Sequence, residues 1–472
     1  MERLSPLDAA FLEIEDEDPA AALAIGSIAV VRGPVPAHDE LVAAFTALLP
    51  LVPRWRQKVR HVPFDLGPPV WVDATTFDPA RHFHRLALPA PGDEDALCDL
   101  IALIMSERLD RSRPLWECWV VEGLEGGRWA IVSKVHHCMT DGVSGNRLHD
   151  VFFREHETAP PPGEPEPEPS AAQLLMRSLR GLVTGPLSEL GLMAGGLLAP
   201  RKLARRAAEA VRGLGALAPA LIPVTPSSLS GPIGRQRRYE LAHVSLPEIV
   251  AIAKTFGVTV NDVVLAAMSG AFREVLLTRG EKPAPDTLRA LVPVSVRAGA
   301  GATTMDNQIS LMLPLLPVDL ADPMRRLVAV HERVAELKGR KEAQAGLAVT
   351  TSAQHGPFAP IAWAVRAGAK LPQRSIVTVA TNVPGPRHRL AVLSREIEEL
   401  YPYVPIALRL RTGVAVLSYG ERMSFGVTAD LDSAPQAHLL ADTIERDIAW
   451  LAEQVRLQAV KRNSVPSAVP DS

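Results

Sequence analysis

An α/β fold with mixed sheets is predicted by three features of the sequence. Stretches with apolar residues returning every three or four positions alternate with short apolar runs, most clearly after residue 230. The runs are short and apolar, and read as strands. No self-similarity of fixed period points to a repeat architecture. The chain has 472 residues, and at about 100–200 residues per domain it holds two or three domains.

Trp129 to Val135 reads as the best strand of the first half. In the second half, Leu246 to Phe256, Asn261 to Leu277, Pro323 to Lys341 and Pro435 to Leu457 read as helices. Arg289 to Val296, Ile309 to Leu316, Ile376 to Thr381 and Met423 to Val427 read as strands. Between the halves lies a proline- and glutamate-rich stretch, Ala159 to Ser170. Its prolines cannot donate to a helix or strand ladder and its glutamates are expected in solvent, so it reads as an extended linker. The expected division is therefore 1–157, an intermediate segment 158–228, and 229–472.

The segment from Ala171 to Pro223 is rich in Ala, Leu, Gly and Arg. Its piece Gly181 to Pro200 carries one charge, Glu189, and approaches the roughly 20 residues a spanning helix needs. Gly185-Pro186 interrupts it, which argues against a true span. Two readings stand: short helices covering the body, or reversible contact with a membrane or lipid droplet, Arg201, Lys202, Arg205, Arg206 and Arg212 facing headgroups.

Hydrophobic residues make up 47% and charged residues 22%, a globular balance, and the net charge of -3 lacks the basic field a nucleic-acid binder needs. Cys98, Cys118 and Cys138 form no CxxC pair, which fits a reducing compartment. The opening stretch turns acidic at once and has no apolar signal core. A cytoplasmic protein is expected, with peripheral attachment to the inner membrane or lipid droplets left open.

The stretch Arg128 to Gly145 carries the chemistry. A strand ends at His136-His137, and Asp141-Gly142 follows after Cys-Met-Thr, giving HHxxxDG. A histidine titrates near neutrality, so it can take and return a proton, and a strand end holds its backbone while the ring projects into a cleft. Asp141 can fix the loop, and Gly142 permits a backbone path that a β-carbon would block. A structural pair is the plain alternative. Metal binding is disfavoured, because neighbouring strand residues point to opposite faces and no HExxH or carboxylate cluster completes a ligand set. There is no G-x-S-x-G elbow, so a serine acyl-enzyme is not indicated, and nothing marks Cys138 as activated. No Walker or dinucleotide glycine loop is present, so no cofactor is expected.

His136-His137-Cys-Met-Thr-Asp141-Gly142 resembles the signature of the CoA-dependent acyltransferase superfamily. Further segments are similar to one branch of it, the bacterial wax ester synthase/diacylglycerol acyltransferase family. These are Leu4 to Phe11, Arg111 to Leu124 with its Pro114-Leu-Trp116 core, Gly231 to Tyr239, Val258 to Leu276 with Asn261-Asp262, Val292 to Arg297, Asp306 to Ser310 with Asn307, and Thr381 to Pro386 with Asn382. They run in the family's order from residue 4 to about residue 430.

The resemblance implies two chloramphenicol-acetyltransferase-like halves with mixed sheets and a central tunnel. It implies acyl transfer from acyl-CoA, a substrate and not a cofactor, to the hydroxyl of diacylglycerol or a long-chain alcohol. His137 would be the general base, His136 its packing neighbour and Asp141 an architectural residue with Arg56 as partner. Asn261 and Asp262 fit helix capping as well as chemistry; Asn307 and Asn382 fit tunnel lining, an oxyanion donor or a turn. Arg235, Arg237 and Arg238 stand as a cluster for the CoA phosphates or a solvated basic turn. Two alternatives remain open: esterification of a polyketide or glycolipid alcohol, and a catalytically silent lipid-binding member. The glycerophosphate type, with a histidine four residues before an aspartate, lacks its Pro-Glu-Gly segment here.

Overall fold

The computed structural model describes residues 2–139, 165–178, 180, 223–296, 308–339, 358–370 and 373–464. In the first half, helix α1 (Pro6–Glu17) leads into strand β1 (Ala24–Arg32), followed by α2 (His38–Leu48), β2 (Gln57–Arg60), β3 (Val70–Asp73), β4 (Phe83–Ala87), α3 (Glu94–Ser106), β5 (Trp116–Leu124) and β6 (Arg128–His136). The second half begins with β7 (Arg237–Ser245), α4 (Leu246–Phe256), α5 (Val260–Thr278), β8 (Leu288–Val296), β9 (Gln308–Met312), β10 (Leu315–Leu316) and α6 (Pro323–Gly339). It closes with α7 (Phe358–Lys370), β11 (Thr378–Val383), β12 (Ala391–Val392), β13 (Arg395–Tyr403), β14 (Thr412–Tyr419), β15 (Arg422–Asp430) and α8 (Ala437–Ser464).

Local chemistry sets the helix starts. Ser5 caps α1, its hydroxyl accepting from the Asp8 N–H, with Pro6 at the first helical position, where its missing N–H costs nothing. Ser245 caps α4 in the same way, and Gly257, in the left-handed conformation, ends it. The expected strand over residues 309–316 divides into β9 and β10. Pro314 stands between them and has no N–H to donate.

Six strands form the first sheet, in the order β12-β13-β1-β6-β5-β4. The second sheet runs β10-β8-β11-β14-β15-β7, with β9 on β8. β4 pairs parallel with β5, and β11 parallel with β8 and β14, while the other pairings are antiparallel; the sheets are mixed. Each sheet has its own apolar core. One gathers Ile28, Ile101, Trp116 and Trp129, and the other Ile252, Phe272, Phe425 and Ile448. Burying one large apolar side chain stabilises by about 1.5–3 kcal/mol, so these cores dominate the folding free energy.

The sequence division does not divide the sheets. β12 and β13 come from the second half, yet β13 pairs with β1, and Ile397, Leu400, Tyr401 and Tyr403 belong to the first core. Helix α7 likewise returns to α1, where Arg366 bonds Glu13 and Asp65, and Lys370 pairs with Glu17 at 3.0 Å.

The end of the Pro/Glu stretch is docked and not simply solvated. Glu168 pairs with Lys58 at 2.9 Å, and the Glu166 N–H donates to Asp73. Among the described residues no single helix is long and apolar enough to cross a membrane; α4 and α5 qualify only as a pair bent by 102°. Gly181 to Arg212 lies outside the described residues.

Candidate active site

β1 and β6 run antiparallel with Ala24 opposite His136, so both histidines stand where the strand ends. Two backbone bonds clamp that end. The His136 N–H donates to Leu115 O and the His137 N–H to Leu23 O, each at 2.9 Å. One clamp comes from the segment leading into β5, the other from the segment leading into β1.

Helix α1 covers the pair from one side. The Phe11 ring stacks on the His137 imidazole, centroids 4.0 Å apart and planes 21° from parallel. One helical turn further, Glu15 is 2% exposed. Its carboxylate accepts from the Leu23 N–H at 2.9 Å and from Arg111 at 2.8 Å, and lies 3.5 Å from His136 Nε2. The other His136 nitrogen, Nδ1, accepts from the Cys138 N–H at 3.2 Å, which leaves the ring proton on Nε2, toward Glu15.

These surroundings fix the charges. Burial lowers the His137 pKa to about 4; its own backbone carbonyl opposes that shift, and His136 reinforces it. The imidazole is therefore neutral at pH 7 and able to accept a proton. Burial works to raise the Glu15 pKa, but the His136 contact, the Leu23 N–H and Arg111 outweigh it and hold it at about 2. Glu15 is thus an ionised carboxylate. Burial pushes the Cys138 thiol far above its ordinary range, which removes it as a nucleophile.

The other expected residues fall elsewhere. Trp116 is a core residue, 1% exposed: its indole N–H donates to Trp55 O, its carbonyl accepts from His82, and its ring sits among Phe45, Trp55, His82 and Phe83. Pro114 is buried just ahead of it. Asp262 forms a capping box with Thr259 at the start of α5 and accepts from His331 at 2.8 Å, with Asn261 in the same first turn. Asn382 lies within strand β11, paired with Val416, and not in a turn. Gly385 follows it where the Ser418 carbonyl leaves no room for a β-carbon.

Arg237 is turned inward, bonding the carbonyls of Gly234, Gln236 and Ala20, so it is not open to a phosphate. Arg56 ends the short 3-10 turn Pro53–Arg56. Asp141, Gly142 and Asn307 lie outside the described residues. Among the described residues no group of three His, Cys, Asp or Glu side chains could hold a metal ion.

Phe11, Glu15 and Arg111 were not anticipated as site residues. A signal was present: Phe11 and Glu15 are four apart on one helix, so they share a face. An acidic residue on a buried face needs a buried partner.

Two mixed sheets with a histidine pair at a central strand's end define the class, a chloramphenicol-acetyltransferase-like acyltransferase. The profile of the wax ester synthase/diacylglycerol acyltransferase catalytic domain matches residues 4–264, and that of the WS/DGAT C-terminal domain residues 305–451. The chain belongs to this family and is an acyltransferase. A Mycobacterium tuberculosis protein named "probable diacylglycerol O-acyltransferase" is 42% identical over 471 residues, covering 98% of both chains. The solved structure of the wax ester synthase/diacylglycerol acyltransferase from Marinobacter aquaeolei VT8 superposes with a TM-score of 0.67 at 26% identity, over 97% of this chain and all of that one. The starter condensation domain of rhizomide synthetase shares the fold, with a TM-score of 0.56 at 16% identity over 96% of this chain and 94% of that one.

Proposed function

We propose that the enzyme moves a fatty acyl group from acyl-CoA to the hydroxyl of diacylglycerol or a long-chain alcohol, with His137 as general base. The observation that carries the mechanism is the neutral, stacked imidazole of His137 at the end of β6. The acceptor O–H gives its proton to that imidazole while its oxygen attacks the thioester carbonyl carbon. The tetrahedral oxyanion collapses, the C–S bond breaks, and the imidazolium returns the proton to the leaving CoA thiolate. General-base help of this kind contributes about 10²–10⁴-fold. The remainder comes from aligning two apolar chains in a dry tunnel between the halves. Asp141, with Arg56 as partner and Gly142 beside it, would order the loop after His137. Asn307 and Asn382 are the candidates for tunnel lining or the oxyanion.

The test incubates purified protein with palmitoyl-CoA and either dioleoylglycerol or hexadecanol, follows thiol release and identifies the ester by thin-layer chromatography. His137→Ala should lower turnover by about 10²–10⁴-fold with the circular-dichroism spectrum unchanged. Near-normal turnover would end the reading of His137 as base.

The basic, apolar stretch from Gly181 to Arg212 supports a second element of the proposal, reversible docking on a lipid surface. Charge reversal at Arg201, Lys202, Arg205 and Arg206 should weaken binding to phosphatidylserine-containing vesicles by about 1 kcal/mol per residue. Equal binding by wild type and variant would remove this role.

A further inference from the structure

We propose that Glu15 is a positioning residue for His137, acting through the His136 ring and the Leu23 peptide. This rests on the reading of His137 as the base and adds the group that aims it.

The case is geometric. His137 meets the Phe11 ring of α1 in a stack that restrains its tilt more than its position along the strand. Position is set by the backbone on either side of its Cα. On the amino side, His136 is held by its ring, between the Glu15 carboxylate at 3.5 Å and the Cys138 N–H at 3.2 Å. At His137, the N–H is held by Leu23 O. Leu23 is in turn fixed by its own N–H, which donates to Glu15 at 2.9 Å. Both restraints therefore converge on one buried carboxylate. That carboxylate is also held by Arg111, which comes from the segment before β5 and bonds Asp16 and the Leu12 carbonyl of α1 as well.

A carboxylate this far from water would be expensive without partners. Here the Leu23 N–H and Arg111 donate to it and the His136 ring lies 3.5 Å away, so removing it leaves the Leu23 N–H without its acceptor and the His136 ring without its neighbour on that side. The imidazole would keep its chemistry but lose its register relative to the reacting atoms. Misplacement of about 1 Å can cost on the order of 10²-fold in rate.

The test compares Glu15→Gln and Glu15→Ala with wild type in steady-state kinetics, at a temperature where circular dichroism shows all of them folded. Glu15→Gln keeps an oxygen for the Leu23 N–H but loses the charge, so it should retain more kcat than Glu15→Ala. Glu15→Ala should lose roughly 10²-fold in kcat with KM for acyl-CoA little changed. The deciding arm uses the His137→Ala background. Glu15→Ala should cause no further loss there, because a positioning residue has nothing left to position. A full additional loss in that background, or a rise in KM with kcat intact, would overturn the proposal. Should Glu15→Ala not fold, Glu15→Gln alone carries the same comparison. His137→Ala with undiminished turnover would instead defeat the underlying reading of the base, so the two failures are distinguishable.

Discussion

His137 is neutral because burial beneath α1 disfavours its cationic form, and this has a consequence for acid conditions. With a pKa of about 4, the proposed base stays in its proton-accepting form well below the usual histidine range. The acid limb of kcat/KM should therefore fall near pH 4, and not near the ordinary value of about 6.5. The same shift bears on stability. Between those two values the unfolded chain binds a proton that the folded chain refuses, so stability falls as pH falls through that window. Glu15 acts in the same direction further down: its folded pKa is depressed, so its contribution is present above the ordinary carboxylate range and lost as pH falls toward 2. A pH–rate profile at constant ionic strength, with melting temperatures over the same range, checks both; an acid limb at 6.5 would show that His137 is solvated in the working enzyme. At this scale the histidine pair was legible because its spacing with Asp141 and Gly142 is a compact pattern. Glu15 was not, because its meaning depends on Leu23, Arg111 and His136, which only the fold brings together.

Elements differ in how openly the sequence declares them. α4 matched its expected bounds, and α5 differed by one residue at each end, because caps and periodicity agree there: Ser245 and Gly257 bracket one, and the Thr259–Asp262 box opens the other. That box gives Asp262 a structural role. Its Oδ2 accepts from both the Thr259 N–H and His331, and its own N–H donates to the Thr259 hydroxyl, while Oδ1 is buried with no hydrogen-bond partner among the described residues. Strands β1 and β13 were not anticipated. β1 carries Gly26 and Ser27 within its apolar run, where the glycine lets Met105 and Tyr403 approach. β13 reads Arg-Glu-Ile-Glu-Glu-Leu-Tyr-Pro-Tyr, a charged sequence with an interior proline, and such a run reads as surface coil. Its alternate residues Ile397 and Tyr401 are nevertheless buried in the first core, and Glu399 bonds Tyr401 and Arg422.

At the scale of the whole molecule, β13 is paired within the first sheet, two places from the strand that ends at the histidine pair, and packs against the second sheet. β13 pairs with β1, β1 pairs with β6, and β6 ends in His136, with His137 next. The exchange of strands was beyond a sequence reading, because pairing partners more than 350 residues apart leave no local signal; Ile28 opposite Tyr401 is one such pair. Where β13 crosses the second sheet, the Tyr239 hydroxyl donates to the Pro402 carbonyl at 2.8 Å, and Gly426 of β15 lies directly beneath. A β-carbon on Gly426 would press into the Pro402 carbonyl and come within 2.6 Å of the Tyr239 hydroxyl. Neither neighbour can yield cheaply, since one is strand backbone and the other a fully buried ring. Gly426→Ala should therefore destabilise by about 1–3 kcal/mol or more through overpacking. Tyr239→Phe, which removes only the hydroxyl's bond, should cost about 0.5–1.5 kcal/mol. Chemical denaturation of the two variants measures the order. The displaced strand is two places from β6, so Gly426→Ala should also lower acyl transfer in molecules that remain folded, whereas Tyr239→Phe should leave transfer closer to wild type. Equal stability of Gly426→Ala and wild type would mean that β13 and β15 separate freely at this crossing, and the site would then have to be held by the first sheet alone.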